Sequence, residues 1–351
     1  MSDVVFLGAG ASASEGAPIQ NSLFKEFFSA TNGYIYNDEL KGRLKSFLIA
    51  FFGIDIDENI SNSNFPTFEE ILGILELAID RKESFRGYSI TPLDPKVQTL
   101  REDFIFLIAI ILKEKLLNPK GFHHTLVNRL VREGTIRKTT FISLNYDILI
   151  DNALAEAFDD IDLDYGVSFT NFGKKNDWRA PKRGRGVNLF KLHGSLNWLY
   201  CPTCVSLTLT PKEKSVATIV DRPMSCKKCN TNTIPIIIPP TFFKVMSNHY
   251  LQNIWRKTEI SLSKADRIIF CGYSFPDADI HIKYLLKRIE INNSKSPEII
   301  IINNHDGKSL EDKASEESRY RRFFSDKNKI YYLDKSFQEF CQYGVDVNHL
   351  Q

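Results

Sequence analysis

The 351-residue chain lacks any apolar run long enough to cross a membrane. Its longest such run, Phe104–Leu112, ends at Lys113-Glu114-Lys115 and predicts a buried core helix instead. The chain also carries little net charge, +2 at pH 7, so its composition does not favour binding to nucleic acid or to a membrane surface. Apolar residues begin directly after Met1-Ser2-Asp3, which leaves no room for a signal peptide. We therefore expect a cytoplasmic protein with no membrane partner and no direct nucleic-acid partner.

Cysteine is scarce, and four of the six cysteines occur as two Cys-x-x-Cys pairs. The pairs are Cys201-Pro202-Thr203-Cys204 and Cys226-Lys227-Lys228-Cys229. This usage fits a reducing compartment better than a disulfide framework. Two such pairs supply the four thiolates of a closed tetrahedral Zn²⁺ site, which predicts a structural zinc ion; four reduced cysteines without metal are the alternative. Cys271 and Cys341 are expected to be buried, unreactive thiols.

Short apolar runs predict the strands of one parallel sheet. These runs are Val4–Leu7, Thr139–Ser143, Val187–Leu192, Arg267–Cys271, Glu298–Ile302 and Ile330–Leu333. Helical periodicity predicts helices between them, over Leu23–Ala30, Asn37–Phe52, from Thr67 onward, Val97–Leu117, His123–Arg132, Ile148–Phe158 and Asp277–Ile289. His123-His124 resemble a ligand pair without a third partner, so a core or surface role is favoured.

The order of these elements predicts an α/β fold with a Rossmann-like parallel sheet. Residues 1–30 and 135–351 are expected to form the sheet domain, because strands and helices alternate there. Residues 31–134 carry helical patterns almost alone and are expected to form an all-helical insertion. A small zinc-ribbon module is expected at residues 200–230.

Each polar motif of the chain directly follows a predicted strand. The motifs are Gly8-Ala9-Gly10-Ala11-Ser12, Asn145-Tyr146-Asp147, His193-Gly194-Ser195, Gly272-Tyr273-Ser274 and Asn303. In an open parallel sheet the carboxyl ends of the strands meet at one edge, where ligands bind, so the motifs predict a single site. The first motif places backbone N–H groups and a helix start where a pyrophosphate binds, although glycines also serve ordinary tight turns.

Together these motifs resemble the sirtuin superfamily, and more closely its SIR2-like bacterial branch of NAD-hydrolysing defence proteins. Gly8-Ala9-Gly10-Ala11-Ser12 resembles the opening loop, Asn145 and Asp147 the Asn-x-Asp motif, and His193-Gly194 the catalytic His-Gly. The four cysteines match the family's zinc ribbon. Gly272 and Ser274 stand at the family's Gly-Thr-Ser motif, and Asn303 at its late asparagine, which contacts the adenosine ribose.

The resemblance implies cleavage of the nicotinamide–ribose bond of NAD⁺ through an oxocarbenium-like state. Asn145 suits the placing of a water molecule, and His193 suits a general base. Asp147 is expected to hold a ribose hydroxyl or the carboxamide; a helix cap is its alternative, and a structural role is the alternative for His193. Ser12, Ser274 and the backbone of Ala9–Ala11 are expected to donate to phosphate oxygens.

Two departures separate the chain from protein-deacylating sirtuins. Deacylases continue the opening loop as Pro-Asp-Phe-Arg, where this chain has Pro18-Ile19-Gln20-Asn21. They also carry a Phe-Gly-Glu stretch that clamps the acyl-lysine peptide, where this chain has Ile237-Ile238-Pro239-Pro240-Thr241. We therefore expect an NAD⁺ glycohydrolase that makes ADP-ribose and nicotinamide. A lysine deacylase and a non-catalytic NAD- or nucleotide-sensing module remain the alternatives.

An unregulated NADase would deplete its host of NAD⁺, so the resemblance also implies a gate. Proteins of this branch act as the toxic arm of antiphage systems. They form homo-oligomers or act with a partner such as a HerA-type ATPase or a short Argonaute. We expect one of these arrangements here, with the trigger supplied by another protein.

Overall fold

In the computed structural model of the chain, the described residues form two sheets. The structure describes residues 1–18, 20–29, 38–59, 64–157, 162–171, 180–182, 186–210, 224–237, 248–277, 279–293 and 295–345. Their strands are β1 (Asp3–Leu7), β2 (Thr139–Ser143), β3 (Asp162–Asp164), β4 (Thr170–Asn171), β5 (Gly186–Lys191), β6 (Gly194–Cys201), β7 (Ser206–Leu209), β8 (Ile234–Ile237), β9 (Arg267–Cys271), β10 (Glu298–Ile302) and β11 (Ile330–Leu333).

The larger sheet has seven parallel strands in the order β11-β10-β9-β1-β2-β5-β3. Six of them were predicted from the sequence; β3 was missed because two of its three residues are aspartates, which are rare in strands. Leu7 lies level with Ser143 on one side and Cys271 on the other. The predicted Rossmann-like parallel sheet is confirmed, and its strands end at one edge.

A second sheet, in the order β4-β7-β6-β8, extends from that edge. Its strand β6 starts at Gly194, directly after His193, and ends at Cys201, the first cysteine of the two pairs. The sequence did not predict this sheet, because β6 pairs antiparallel with two strands of only four residues each, one of them interrupted by Pro235. It joins the motif around His193 to the cysteine cluster.

The helices of the described residues agree with most of the predicted ones. They are α1 (Ala9–Ser14), α2 (Gln20–Ser29), α3 (Asp38–Phe52), α4 (Ile56–Asn59), α5 (Phe68–Arg81), α6 (Lys96–Lys115), α7 (Phe122–Arg132), α8 (Leu149–Ala157), α9 (His249–Ser263), α10 (Ile280–Asn292), α11 (Leu310–Phe323) and α12 (Phe337–Tyr343). Helix α10 begins three residues later than predicted. None of the helices in these ranges is long and apolar enough to span a membrane.

Helices α2 to α6 form a hydrophobic core of their own, distinct from the core of the sheet. Phe24, Phe47, Phe68 and Phe104 are completely buried in it. A third, smaller cluster joins α6 to the second sheet through Ile105, Ala109, Leu196 and Ile237. The side chain of Tyr146 packs against both of these clusters, which places the helices in contact with a loop at the carboxyl edge of the parallel sheet.

A buried carboxylate connects the end of α1 to α7. Glu15 accepts hydrogen bonds from His123 Nδ1 and backbone N at 2.9 Å, and from the backbone N of Gly121 at 2.8 Å. Burial opposes the charged form of Glu15, but the bonds from His123 and Gly121 outweigh it and lower the pKa of the carboxyl. Of the two roles expected for the histidine pair, core or surface, His123 has the core one, with Glu15 as its partner.

This pair predicts a pH-dependent contribution to stability. Because the pKa of Glu15 is lowered on folding, the stabilisation is complete above the ordinary value of 4.5 and is lost as pH falls through the lowered value. Glu15→Gln should therefore lower the free energy of unfolding by about 2 kcal/mol at neutral pH, and by less in acid. Urea unfolding at several pH values measures the difference.

The matched control is Glu156→Gln, which alters the neighbouring exposed pair between His124 and Glu156. It should change the unfolding free energy by less than about 0.5 kcal/mol. Equal effects of the two substitutions on the unfolding free energy would contradict a stabilising role of the ionised Glu15 carboxylate. So would a Glu15→Gln effect that does not diminish in acid.

Candidate functional site

The predicted motifs meet where the parallel strands end, because backbone hydrogen bonds continue past the last residue of each strand. Gly8 N donates to Cys271 O at 2.9 Å, and Gly272 N donates to Ile302 O at 2.9 Å. Leu144 N donates to Leu7 O at 3.0 Å on the other side. The loops after β1, β2, β9 and β10 are thereby held side by side.

Ser12, Asn145 and Asp147 form one hydrogen-bonded constellation. Asn145 Nδ2 donates to Ser12 Oγ at 2.7 Å and to the carbonyl oxygen of Gly8 at 2.9 Å. Ser12 Oγ in turn donates to Asp147 Oδ2 at 2.6 Å. The opening loop and the Asn-x-Asp loop are thus joined by side chains that lie more than 130 positions apart in the sequence.

Asp147 also caps a helix, as its alternative interpretation proposed. Its Oδ1 accepts from the backbone N of Leu149, the first residue of α8, at 3.0 Å. The carboxylate is buried, and each of its two oxygens accepts a hydrogen bond from the protein. In this structure Asp147 orients Ser12 and the start of α8.

The contacts of His193 set its tautomer. The ring is 2% exposed, and Nδ1 lies 3.1 Å from the carbonyl oxygen of Leu144. A carbonyl oxygen can only accept, so Nδ1 carries the hydrogen, and in the neutral ring Nε2 carries the lone pair. Gly194 follows with φ of +80°, and a side chain there would collide with the carbonyl oxygen of Ile236. The close turn orients the histidine at the start of β6.

Three glycines bring the loops after β1 and β9 into direct backbone contact. A Cβ atom on Gly10 would lie 2.7 Å from Gly272 Cα, and one on Gly8 would lie 2.6 Å from Gly272 O. Gly272 itself has φ of +60°. The missing side chain of Gly10 therefore makes room for the backbone of Gly272.

The backbone donors of the opening loop also differ from expectation. Gly10 N donates to Gly272 O at 2.8 Å and Ala11 N donates to Gly8 O at 3.0 Å. The reason is that helix α1 begins at Ala9, separated by one residue from the end of the strand at Leu7, so the amides of Gly10 and Ala11 meet protein carbonyls. Ala9 and Ser274 are both exposed at this contact.

Asn303 lies one strand further along and is buried. Its Nδ2 donates to Tyr273 O at 3.1 Å and to the Tyr332 hydroxyl at 3.3 Å. His305, which the sequence analysis missed, bonds the same hydroxyl at 2.9 Å and Glu316 at 3.2 Å. Burial raises the pKa of Tyr332. The structure thus places Asn303 in a polar cluster below the β9 loop, apart from the constellation of Ser12, Asn145 and Asp147.

The four cysteines of the two pairs converge on one point. All four Sγ atoms lie within 4.8 Å of one another, and the pairs Cys201–Cys229 and Cys204–Cys226 are separated by 3.3 and 3.5 Å. Tetrahedral zinc with Zn–S bonds of about 2.3 Å requires sulfur atoms about 3.8 Å apart. Backbone N–H groups of Lys228 and Cys229 lower the pKa of the Cys226 thiol to about 6, which favours the thiolate. The cluster is compatible with structural zinc.

Two segments used in the sequence argument fall partly outside the described residues. In the loop that departs from deacylases, nothing is described of Ile19 or of the side chains of Gln20 and Asn21. Residues 238–241 of the segment that replaces the peptide clamp are likewise not described. Both departures stay arguments from the sequence.

The glycine contact predicts opposite effects of one substitution at two helical glycines. Gly10→Ala should disrupt the junction, because its Cβ would press on the Gly272 backbone. Gly42→Ala in α3 meets nothing within 4 Å and should stabilise the chain by up to about 1 kcal/mol, since alanine favours helices. Thermal unfolding of both variants measures the contrast. A Gly10→Ala variant as stable as the Gly42→Ala variant would contradict the contact.

Comparison with known proteins gives a family match and a set of solved structures. The model of the SIR2-like domain family matches residues 139–332, more than half of the chain. A structure of Sir2Tm bound to a propionylated peptide is 14% identical with a TM-score of 0.45, and covers 100% of this chain and 94% of its own. A structure concerning the mechanism and regulation of Sir2 enzymes is 15% identical with a TM-score of 0.46, and covers 99% and 93%.

No curated protein gives a significant match. The family model spans β2 to β11 and includes Asn145, His193, Gly272 and all four clustered cysteines. The chain therefore belongs to the SIR2-like domain family, and this membership supports an NAD-related enzymatic function.

Proposed function

We propose that the protein is an NAD⁺ glycohydrolase, with Asn145 and His193 as its catalytic residues. The observation that supports it most is the joining of Asn145, Ser12 and Asp147 by hydrogen bonds, next to a histidine of fixed tautomer, at the carboxyl edge of the sheet. A polar constellation at such an edge is where an α/β fold binds its ligand.

In the proposed reaction, water replaces nicotinamide at the anomeric carbon of the ribose. The carbon–nitrogen bond breaks with its electron pair leaving on nicotinamide, and the oxygen of water forms the new bond. His193 takes a proton from the water or from a ribose hydroxyl, because Nε2 carries the lone pair in the neutral ring. Asn145 orients the water, and Asp147 holds Asn145 in place through Ser12.

The pyrophosphate is assigned to the junction of the β1 and β9 loops. Ala9 and Ser274 are exposed at this junction. The backbone of the junction is formed by Gly8, Gly10, Ala11 and Gly272. Asn303 is assigned to the adenosine side, where it lies beneath Tyr273. These assignments follow the family motifs, and binding at them is part of the proposal.

We further propose that residues 31–134 form a helical insertion that gates the sheet domain, residues 1–30 and 135–351. At its two borders, α2 packs in the core of the helices and α7 packs in the core of the sheet. Tyr146, the residue between Asn145 and Asp147, packs against the core of α2 to α6 and against the smaller cluster that joins α6 to the second sheet. Leu196, three residues after His193, packs against α6. A partner protein or a second copy that moves α6 would thereby reach both catalytic loops. A cytoplasmic, toxic role in antiphage defence completes the proposal and rests on the resemblance alone.

The reaction is tested by supplying NAD⁺ alone. We expect nicotinamide and ADP-ribose without any acyl-lysine substrate, because the sequence lacks the deacylase peptide clamp. Chromatography of the products measures this, with purified protein and with protein in its host's lysate. Consumption of NAD⁺ only together with an acylated peptide, yielding O-acyl-ADP-ribose, would replace the proposal with a deacylase.

The catalytic assignment is tested by Asn145→Ala and His193→Ala. Each should lower turnover by about a hundredfold or more, the usual effect of losing a positioned polar or acid–base group. Binding of NAD⁺, measured by calorimetry, should decrease much less. His124→Ala, on the exposed face of α7, is the control and should leave turnover unchanged. Near-normal hydrolysis by both site variants would place the chemistry on other residues.

The cysteine cluster is proposed to hold one structural Zn²⁺ per chain, and elemental analysis measures it. Cys226→Ser should lose the metal and lower the melting temperature, since a closed four-thiolate site stabilises the fold around it. Lys228→Ser, an exposed position between two of the cysteines, is the control and should keep the metal. A fully stable Cys226→Ser variant, or metal-free wild-type protein, would contradict zinc.

A further inference from the structure

A buried lysine lies directly beneath the candidate site and was not singled out by the sequence motifs. Lys191, the last residue of β5, is 0% exposed. Its Nζ donates to the carbonyl oxygen of Asp147 and to Asp151 Oδ2, the latter at 3.0 Å. A buried ammonium group is costly unless it is paired and hydrogen-bonded, so its contacts indicate what it holds.

The loop from Ser143 to Asp147 is held through its carbonyl oxygens. Three bonds to it come from the segment that begins at Leu192: Leu192 N to Ser143 O at 3.2 Å, His193 Nδ1 to Leu144 O at 3.1 Å and Leu196 N to Tyr146 O at 3.0 Å. Lys191 holds the fourth carbonyl, that of Asp147. The Asn145 carbonyl accepts from the hydroxyl of Ser143 within the loop itself.

The bond from Lys191 anchors the backbone at the end of this loop. Asp147 O is the last of these carbonyls before α8 begins at Leu149, and the Asp147 side chain faces Ser12. Asp151, the other partner of Lys191, lies in α8 and also accepts from the Tyr165 hydroxyl at 2.8 Å. The ammonium group therefore ties the loop to the first turn of the helix that follows it.

We infer that Lys191 is a positioning residue for the reaction. By holding the carbonyl of Asp147, its ammonium group sets the positions of Asn145 and Asp147 at the carboxyl edge of the sheet. It acts on the substrate only through the loop, since it is buried and bonded to protein groups. The kinetic part of this inference rests on the proposed function, whereas the structural part does not. A displacement of about 1 Å in a catalytic group is enough to cost about a hundredfold in rate.

The test removes the ammonium group without leaving a buried charge unpaired. Lys191→Met alone would strand the Asp151 carboxylate, so Lys191→Met is combined with Asp151→Asn. The control applies the same chemistry to the half-buried pair of Arg267 and Asp3 at the opposite, amino-terminal edge of the sheet. Arg267→Met with Asp3→Asn should affect stability but not the loop.

The first measurement is hydrogen exchange of segment 143–149, which does not depend on activity. We expect exchange of this segment to rise at least fivefold in the Lys191 double variant and to stay unchanged in the Arg267 double variant. Equal exchange in wild-type protein and in the Lys191 double variant would overturn the positioning role, whether or not the protein hydrolyses NAD⁺.

The second measurement separates kcat from KM for NAD⁺. The Lys191 double variant should lose at least tenfold in kcat with KM within about threefold, because Lys191 bonds to Asp147 and Asp151 and not to the junction of the β1 and β9 loops. Lys191→Gln with Asp151→Asn restores an N–H donor on a side chain one atom shorter than lysine and should recover a small part of the loss. An unchanged kcat would overturn the inference, as would a loss matched by the Arg267 control. Absence of hydrolysis by wild-type protein, both purified and in its host's lysate, would count against the proposed function alone, and exchange would then decide the role of Lys191.

Discussion

The close backbone contact of Gly10 with Gly272 is the constraint on which the rest of the site depends. It brings the loops after β1 and β9 together at a distance that no side chain on either residue would permit. Since β1 lies between β9 and β2 in the sheet, the contact also determines where Ser12 meets Asn145. The Gly-x-Gly pattern therefore has a packing role in this protein, in addition to any role in binding phosphate.

On the other side of β1, the loop carrying Asn145 and Asp147 is held by the chain around His193. One segment thus contributes both a candidate base and the groups that bind the neighbouring loop. The helices between β1 and β2 approach the same loop through Tyr146. A gated site requires both kinds of contact. The bonds from the end of β5 keep the positions of Asn145 and Asp147 fixed, and the contact of Tyr146 with the helical core would pass a movement of the helices to the loop.

Much of the fold was predictable from the sequence, because buried parallel strands are short apolar runs and polar motifs at their ends stand out. The cysteine cluster was predictable because the spacing of two Cys-x-x-Cys pairs is typical of a zinc site. Lys191, the pairing of Glu15 with His123, and the second sheet were not. The first two depend on contacts between residues far apart in the chain, which local patterns do not encode, and the strands of the second sheet are short. The internal hydrogen bonds of Gly10 N and Ala11 N were missed because the helix begins one residue after the strand.

The central claim is that the nicotinamide ribose of NAD⁺ binds beside Asn145 and His193 at the carboxyl edge of the sheet. A crystal structure of the His193→Ala variant with intact NAD⁺ tests this directly, through the distance from the anomeric carbon to Asn145. The account predicts that the anomeric carbon lies in van der Waals contact with Asn145 and next to the cavity left by the imidazole ring. A dinucleotide bound with its nicotinamide ribose away from both residues would contradict it.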